Sequence, residues 1–210
     1  MAEERHLHEP FHEVERQEEA DRLGMLVFLG SEAMLFGGIF AAAMTLRLLH
    51  PQEYIAASGQ MKLWHGTLNT AILLTSSLLA AVAVEAARGN RPLWARRALW
   101  AAVALGAAFL GIKGHEYCLE YRAGVIPGLA PFGLRSAFEQ LFMNLYFVAT
   151  GLHALHLIAG MVLLSIAALN RRAQEDVHAV LIGNVALYWH LVDLIWVFLY
   201  PTIYLAGAAQ

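Results

Sequence analysis

Five long apolar segments, separated by polar breaks, constrain the fold of this chain more than any other feature of its sequence. A bilayer core about 30 Å thick is crossed by about 20 apolar residues of helix, and each segment supplies enough of them. Hydrophobic residues make up 59% of the chain and charged residues 15%, a balance far from that of an average globular domain. The sequence therefore predicts an all-α integral membrane bundle of five transmembrane helices, spanning about 23–46, 63–87, 93–121, 141–169 and 177–209.

The third segment has the shortest uncharged centre, Ala98 to Ile112, and still counts as a span. Trp94 and two arginines precede this centre, Trp100 lies near its start, and two tyrosines follow it. Such side chains join an apolar body to a polar end and anchor helices at membrane interfaces. Between the spans, Pro51 and three loops rich in glycine, proline or charge break the helical pattern.

An acidic tail precedes the first span. It holds eight acidic residues against three arginines, and it lacks the apolar core and the small-residue cleavage site of a secretory signal. We interpret residues 1–22 as an uncleaved, solvated cytoplasmic tail and residues 23–210 as one transmembrane domain.

The distribution of basic residues predicts the orientation of the bundle. Nine lysines and arginines fall on the side of the N-terminus and five on the opposite side. Cytoplasmic loops carry the excess of positive charge, so we expect a cytoplasmic N-terminus and, with five spans, an outside C-terminus.

A few polar side chains interrupt the apolar spans, where each costs a few kcal/mol unless it finds a partner. His153 and His156 are three residues apart, as are His190 and Asp193, so each pair shares a helix face. We expect both pairs and Glu32 to face one another in the interior, with Asp193 accepting a hydrogen bond from His190 or from a histidine of the fourth span. The secondary candidates are His65, Asn69 and Glu116.

Three interpretations of these polar residues remain open. They hydrogen-bond between helices and bind lipid headgroups or a neighbouring subunit, or they form a di-metal enzyme site, or they relay protons in a stand-alone transporter. The pairs read His-x-x-His and His-x-x-Asp rather than Glu-x-x-His, so we expect no metal on this chain. Glycines that would allow close helix approach favour the first interpretation, and they are Gly30, Gly37, Gly38, Gly151 and Gly160.

Several other classes are excluded by what the sequence lacks. It has no Gly-rich phosphate loop, no Cys-x-x-Cys-His motif for covalent haem and no basic patch for nucleic acid. Its one cysteine, Cys118, cannot form an internal disulfide.

Four stretches give the chain a family resemblance: "FLGSEAMLFGGIF" at 28–40, "LNTAILLTSS" at 68–77, "GLHALHLIAG" at 151–160 and "YWHLVDLIWVFLYPTIYL" at 188–205. A fifth, weaker stretch is "KGHEY" at 113–117. With these motifs the chain resembles subunit III of the haem–copper terminal oxidases, in the five-helix form found in bacteria rather than the seven-helix mitochondrial form.

The resemblance implies a non-redox accessory subunit of the bacterial cytoplasmic membrane with no catalytic site of its own. It implies contact with catalytic subunit I, with subunit II and with a small subunit IV, while haem and copper belong to those partners. The complex reduces oxygen to water and pumps protons in aerobic respiratory electron transport, and subunit III supports proton uptake and the durability of subunit I. A structural phospholipid is expected as well, and Glu32, His153, His156, His190 and Asp193 match the buried polar positions of the family.

The five-helix form occurs in cytochrome c oxidases and in quinol oxidases, and accessory proteins of nitric oxide reductase resemble it too. We favour cytochrome c oxidase because "SEAMLF" keeps a glutamate that some quinol-type relatives replace with aspartate. The two helices that the five-helix form lacks make one wall of the lipid cleft in longer members.

Overall fold

Six α-helices and one π-helical turn form the structure, a computed structural model that describes residues 14–59, 61–122, 137–170 and 175–207. No strand occurs within these ranges. The elements in chain order are α1 Val14–Leu49, α2 Pro51–Gly59, α3 Leu63–Arg88, α4 Pro92–Arg122, α5 Ala137–Leu169, α6 Glu175–Tyr200 and the π-helical turn Pro201–Leu205.

The five predicted spans are confirmed, with small changes at their ends. The helices long and apolar enough to cross a membrane are Leu23–Leu49, Leu63–Arg88, Pro92–Arg122, Ala137–Leu169 and Val180–Leu205. α1 begins at Val14, so the helix starts within the acidic segment that the sequence assigns to the tail. The turn at Pro201 begins where a residue without an N–H cannot continue the α-helical hydrogen bonds.

The sequence does not predict the short helix α2, because Pro51 indicates only a break in the helical pattern. Proline is well suited to the first turn of a helix, because the N–H that it lacks has no partner there. α2 fastens to the end of α6: Tyr54 Oη donates to the Thr202 carbonyl at 2.9 Å, and Ser58 Oγ donates to the Ile203 carbonyl at 2.6 Å. Burial raises the pKa of Tyr54 to about 12, so its hydroxyl remains a donor at neutral pH.

Backbone contact completes this attachment of α2. The Gly207 amide donates to Ser58 Oγ at 2.9 Å, and a Cβ at Gly207 would overlap the backbone of Gly59. Only glycine permits this approach, so the residues after α6 are held against the last turn of α2.

Helices α3 to α6 pack into the core of the bundle. α3 lies against both α4 and α6, and α5 lies against the same two helices. A tight turn joins α3 to α4, with Asn90 in the left-handed region at φ 51°, a conformation that asparagine tolerates better than most residues. The buried positions of α3 recur every three or four residues and therefore form one face: Gly66, Asn69, Leu73, Ser76, Ala80 and Ala83.

The indole of Trp189 lies fully buried at the centre of this core. Its Nε1 donates to Ser76 Oγ at 3.0 Å, and that hydroxyl donates to the Ala102 carbonyl at 3.2 Å. A Cβ at Gly106 or at Gly160 would come within 3 Å of the ring. The two glycines therefore make the space that the indole fills.

The predicted role of the glycines is confirmed for Gly160 and wrong for the others. A Cβ at Gly30, Gly37, Gly38 or Gly151 would meet no atom of the described residues within 4 Å. Those glycines lie on open helix faces, so they do not bring two helices of this chain together.

Helix α1 attaches to the rest of the chain along a narrow seam. Phe28 stacks on Tyr188 at 5.9 Å and Phe40 meets Phe198 at 6.2 Å, so α1 and α6 run parallel. Only 6% of the membrane-spanning part of α1 is buried within the chain, against 50% for the last span. Most of α1 therefore faces whatever surrounds this chain in the membrane.

Candidate functional site

The side chains of Glu32 on α1 and His156 on α5 form an acid–base pair between two helices. Glu32 Oε2 lies 2.7 Å from His156 Nε2, and His156 Nδ1 lies 2.8 Å from the Leu152 carbonyl oxygen. A carbonyl only accepts, so Nδ1 carries a hydrogen. The short contact at Nε2 then requires a further proton, which belongs to the imidazole or to the carboxyl group. In both states the pair is neutral and one proton lies between the two atoms.

This pair is only partly enclosed. The two side chains are 17% and 16% exposed, and the ring of Phe36 packs against the imidazole at 5.2 Å. Tyr188 Oη donates to the His156 carbonyl and fixes that turn of α5 against α6. The pair thus lies where α1 meets α5 and is partly open at the surface of the chain, and we call this open edge the groove.

The prediction that His190 and Asp193 face the fourth span and Glu32 is wrong. His190 Nδ1 lies 2.6 Å from Ser77 Oγ, so its partner is on α3. Asp193 is 3% exposed, and among the described residues neither of its carboxylate oxygens has a partner with hydrogen-bond geometry. The Ser77 hydroxyl lies beside both this carboxyl and the His190 ring. α6 is rotated so that its polar face meets α3, which periodicity along one helix cannot reveal.

His153 is separate from its neighbour in sequence, His156. Its imidazole is buried between Phe109 at 5.6 Å and Trp196 at 5.2 Å, and neither ring nitrogen has a hydrogen-bond partner in the part of the chain that the structure describes. The ring therefore acts as an aromatic core residue. The five predicted site residues form no single cluster: Glu32 pairs with His156, His190 and Asp193 both lie beside Ser77, and His153 is buried separately.

Two of the secondary candidates, Asn69, which is buried, and His65, which is half-buried, form no site. Within the described ranges, both amide atoms of Asn69 and the Nδ1 atom of His65 lack hydrogen-bond partners, and the His65 ring lies 6.3 Å from that of His115. Leaving such a group unpaired costs roughly 1–3 kcal/mol, so these positions do not stabilise the fold through hydrogen bonds.

The third secondary candidate, Glu116, belongs to a buried ionic cluster that the sequence analysis missed. Lys113 Nζ donates to Glu116 Oε2 at 3.0 Å, to Tyr146 Oη at 2.8 Å and to Tyr204 Oη. An ammonium group has three hydrogens, and each has an acceptor here. Tyr204 Oη in turn donates to Glu116 Oε1 at 3.0 Å, and Tyr146 Oη donates to Glu120 at 3.1 Å.

Sequence reasoning counted Lys113 among the basic residues of the outer side, whereas the structure leaves it only 5% exposed. The available signal was its spacing from Glu116, since residues three apart share a helix face. The tyrosines could not be found in this way, because they come from α5 and from the turn after α6. Four rings lie within 5.5 Å of the ammonium group and complete its enclosure: Tyr117, Tyr146, Trp196 and Tyr204.

The described side chains that could bind a metal ion do not gather at one place. Among the residues that the structure describes, no three histidine, cysteine, aspartate or glutamate side chains come close enough to hold a metal ion together. The arrangement is therefore a set of paired and isolated polar groups in an apolar bundle.

Comparison with known proteins identifies the family of this chain. Residues 9–208 match the family model of cytochrome c oxidase subunit III. The cytochrome c oxidase subunit 3 of Thermostichus vulcanus is 34% identical over 87% of this chain and 86% of its own length. A "Probable cytochrome c oxidase subunit 3" of Nocardia farcinica is 27% identical over 87% and 86%, and a "Probable quinol oxidase subunit 3" of Staphylococcus aureus is 26% identical over 90% of each chain. The resemblance read from the motifs is confirmed, and the chain is a multi-pass membrane protein that belongs to the cytochrome c oxidase subunit III family.

Proposed function

We propose that this chain is the non-redox accessory subunit III of a haem–copper terminal oxidase in the bacterial cytoplasmic membrane. It stabilises catalytic subunit I and supports proton uptake, while haem and copper lie on the partner subunits. The observation that carries the proposal is the groove between α1 and α5. There a mostly uncovered span presents the Glu32–His156 pair to its surroundings. A span with so little contact to its own chain favours a role in contact with other subunits and lipid.

The support for proton uptake is the shared proton of Glu32 and His156. The pair is neutral with the proton on either side, so a proton can move between the two atoms without creating net charge at membrane depth. The pair is also partly exposed, so it can exchange that proton with its surroundings.

The expected partners are subunit I, subunit II and a small subunit IV, with membrane lipid along the open face of α1. We propose a structural phospholipid in the groove between α1 and α5, for which a neighbouring subunit supplies the second wall. The cytoplasmic N-terminus and the outside C-terminus follow from the charge distribution of the sequence.

Two electron donors fit a subunit of this family, and we propose cytochrome c. The support is the relative from Thermostichus vulcanus, which carries the name of a cytochrome c oxidase subunit and shares 34% identity. Quinol is the second candidate, supported by the relative from Staphylococcus aureus at 26% identity. Oxygen uptake by the purified complex with reduced cytochrome c or with a quinol distinguishes the two.

The proposal is tested by tagging this chain at its C-terminus and purifying it from native membranes in a mild detergent. We expect a haem-bearing partner to purify with it and the complex to consume oxygen. The same chain produced alone is expected to show no haem absorption and no proton flux in vesicles. About two metal ions per chain would favour the di-metal enzyme instead, and flux through the chain alone would favour the transporter.

A further inference from the structure

At the end of the bundle where α3 turns into α4, a recess of about 350 Å³ opens between α4 and α5. Its walls are Arg96, Arg97 and Trp100 of α4 and Leu169 at the end of α5. The groove beside Glu32 is a different place, because it lies between α1 and α5 and nearer the middle of the spans. Nothing in the proposed function uses this recess.

The two arginines of the recess are unpaired. Within the part of the chain that the structure describes, neither guanidinium group forms an ion pair or a hydrogen bond, and Arg97 lies over the Trp94 ring at 5.6 Å. A guanidinium group matches the geometry of phosphate oxygens with two parallel N–H donors. Two of them in adjacent positions thus offer a receptor for a phosphodiester, with positive charge that no carboxylate of the described residues neutralises.

The remaining walls are apolar and face the membrane. Trp100 is 42% exposed and Leu169 is 64% exposed, at the level where α4 begins and α5 ends. Tryptophan is favoured at the boundary between lipid headgroups and acyl chains. A ligand that fills the recess therefore meets positive charge at one side and an apolar surface at the other, which is the arrangement of a phospholipid.

We propose that this recess binds the headgroup of an anionic phospholipid, with its phosphodiester on Arg96 and Arg97 and its acyl chains along Trp100 and Leu169. Basic recesses between transmembrane helices on the cytoplasmic side bind anionic headgroups, and the charge distribution of this chain places the recess on that side. The site would fix the α4 and α5 ends to the lipid leaflet that carries most of the negative charge.

The test uses the full chain in nanodiscs of phosphatidylcholine that contain a small share of phosphatidylglycerol. Native mass spectrometry then counts the phosphatidylglycerol retained per chain. The variant Arg96→Gln/Arg97→Gln is expected to weaken retention by at least about tenfold, because it removes the charge-assisted hydrogen bonds to the phosphodiester. The matched control is Arg88→Gln/Arg91→Gln, which removes two arginines at the same end of the bundle but outside the recess, and we expect no more than a twofold change.

Equal loss in both double variants would show attraction to surface charge alone and would overturn the site. Full retention in Arg96→Gln/Arg97→Gln would overturn it as well. Inorganic phosphate forms the second arm: the lipid should stay bound when phosphate is added, and displacement by phosphate would mean that the recess recognises the free anion.

A photoreactive phosphatidylglycerol tests the site without any substitution. We expect the label on peptides that contain Trp100 or Leu169 of the unmodified chain. Labelling confined to α1 and the facing part of α5 would place the lipid in the other groove and would contradict the proposal, even if the arginine variants failed to fold.

Discussion

Two acid–base pairs occur within the spans of this bundle, and they differ in how they are enclosed. Glu32 and His156 meet across the open groove between α1 and α5, with about one sixth of each side chain exposed. Lys113 and Glu116 lie one turn apart on α4, where their side chains are 6% and 3% exposed and two tyrosine hydroxyls complete their hydrogen bonds. The first pair is partly open at the surface of the chain, whereas the second is sealed.

The contrast shows that enclosure decides what a charged pair can do. Taking two charges out of water is costly, and the attraction between them compensates only while every donor and acceptor is satisfied. Lys113 meets that condition through acceptors on three structural elements, so it ties together α4, α5 and the turn after α6. Glu32 has one partner on one neighbouring helix, so losing it disturbs little else.

The largest expected effect comes from Lys113→Met, which leaves Glu116 buried without its cation. We expect the free energy of unfolding to fall by about 3–5 kcal/mol. The measurement is thermal unfolding of the purified chain in detergent. The control Lys113→Met/Glu116→Gln removes both charges and should recover more than half of the loss. A single variant as stable as the wild type would show that the sealed pair does not tie the helices together.

The next effect concerns the core around Trp189. Gly160→Ala places a methyl group within 3 Å of the Trp189 ring, which Gly106 borders on its other side. Overpacking of this kind costs about 1–3 kcal/mol. The matched control is Gly151→Ala on the same helix, where a Cβ meets no atom of the described residues within 4 Å. This variant should not lose stability, because alanine favours the helix over glycine by about 0.5–1 kcal/mol. Equal unfolding temperatures of the two variants would contradict the packing around Trp189.

A smaller effect is expected where α2 is fastened to the end of α6. Ser58→Ala removes the donor to the Ile203 carbonyl and the acceptor of the Gly207 amide, at a cost of about 1–2 kcal/mol. Hydrogen exchange of the peptide that contains Gly207 should become faster while the centre of α6 stays protected. Ser31→Ala is the control, because that hydroxyl bonds only the Phe28 carbonyl of its own helix. Unchanged exchange in Ser58→Ala would mean that α2 is held by other contacts.

The smallest effect on stability is expected for Glu32→Ala in the open groove. Its removal should cost about 1 kcal/mol, because the imidazole left behind is partly exposed. Assembly should therefore persist, while sustained turnover of the oxidase should weaken because the pair no longer holds its proton. Oxygen consumption followed over repeated turnover measures this, with Glu32→Gln as the control that keeps size but not charge. A lifetime equal to that of the wild type would limit Glu32 to packing.

Most of the fold was predictable from the sequence, whereas most of the site was not. Span length and hydropathy are local properties, so all five spans were found. The helix α2 was missed because Pro51 both ends one helix and begins the next. The predicted interior cluster of polar residues is wrong, because the rotation of α6 turns His190 towards Ser77 rather than towards α5.

The sequence by itself determined the family, the five spans and the list of polar residues that had to be accommodated in them, because each depends on residue type and spacing along one segment. Only the tertiary structure decided which polar group meets which. It brought Glu32 together with His156 in the groove and Lys113 together with Glu116 in the sealed pair. It also set two glycines around the space that Trp189 fills. The physical reason is that such contacts depend on the rotation and depth of each helix against its neighbours, which the packing of all the helices fixes together.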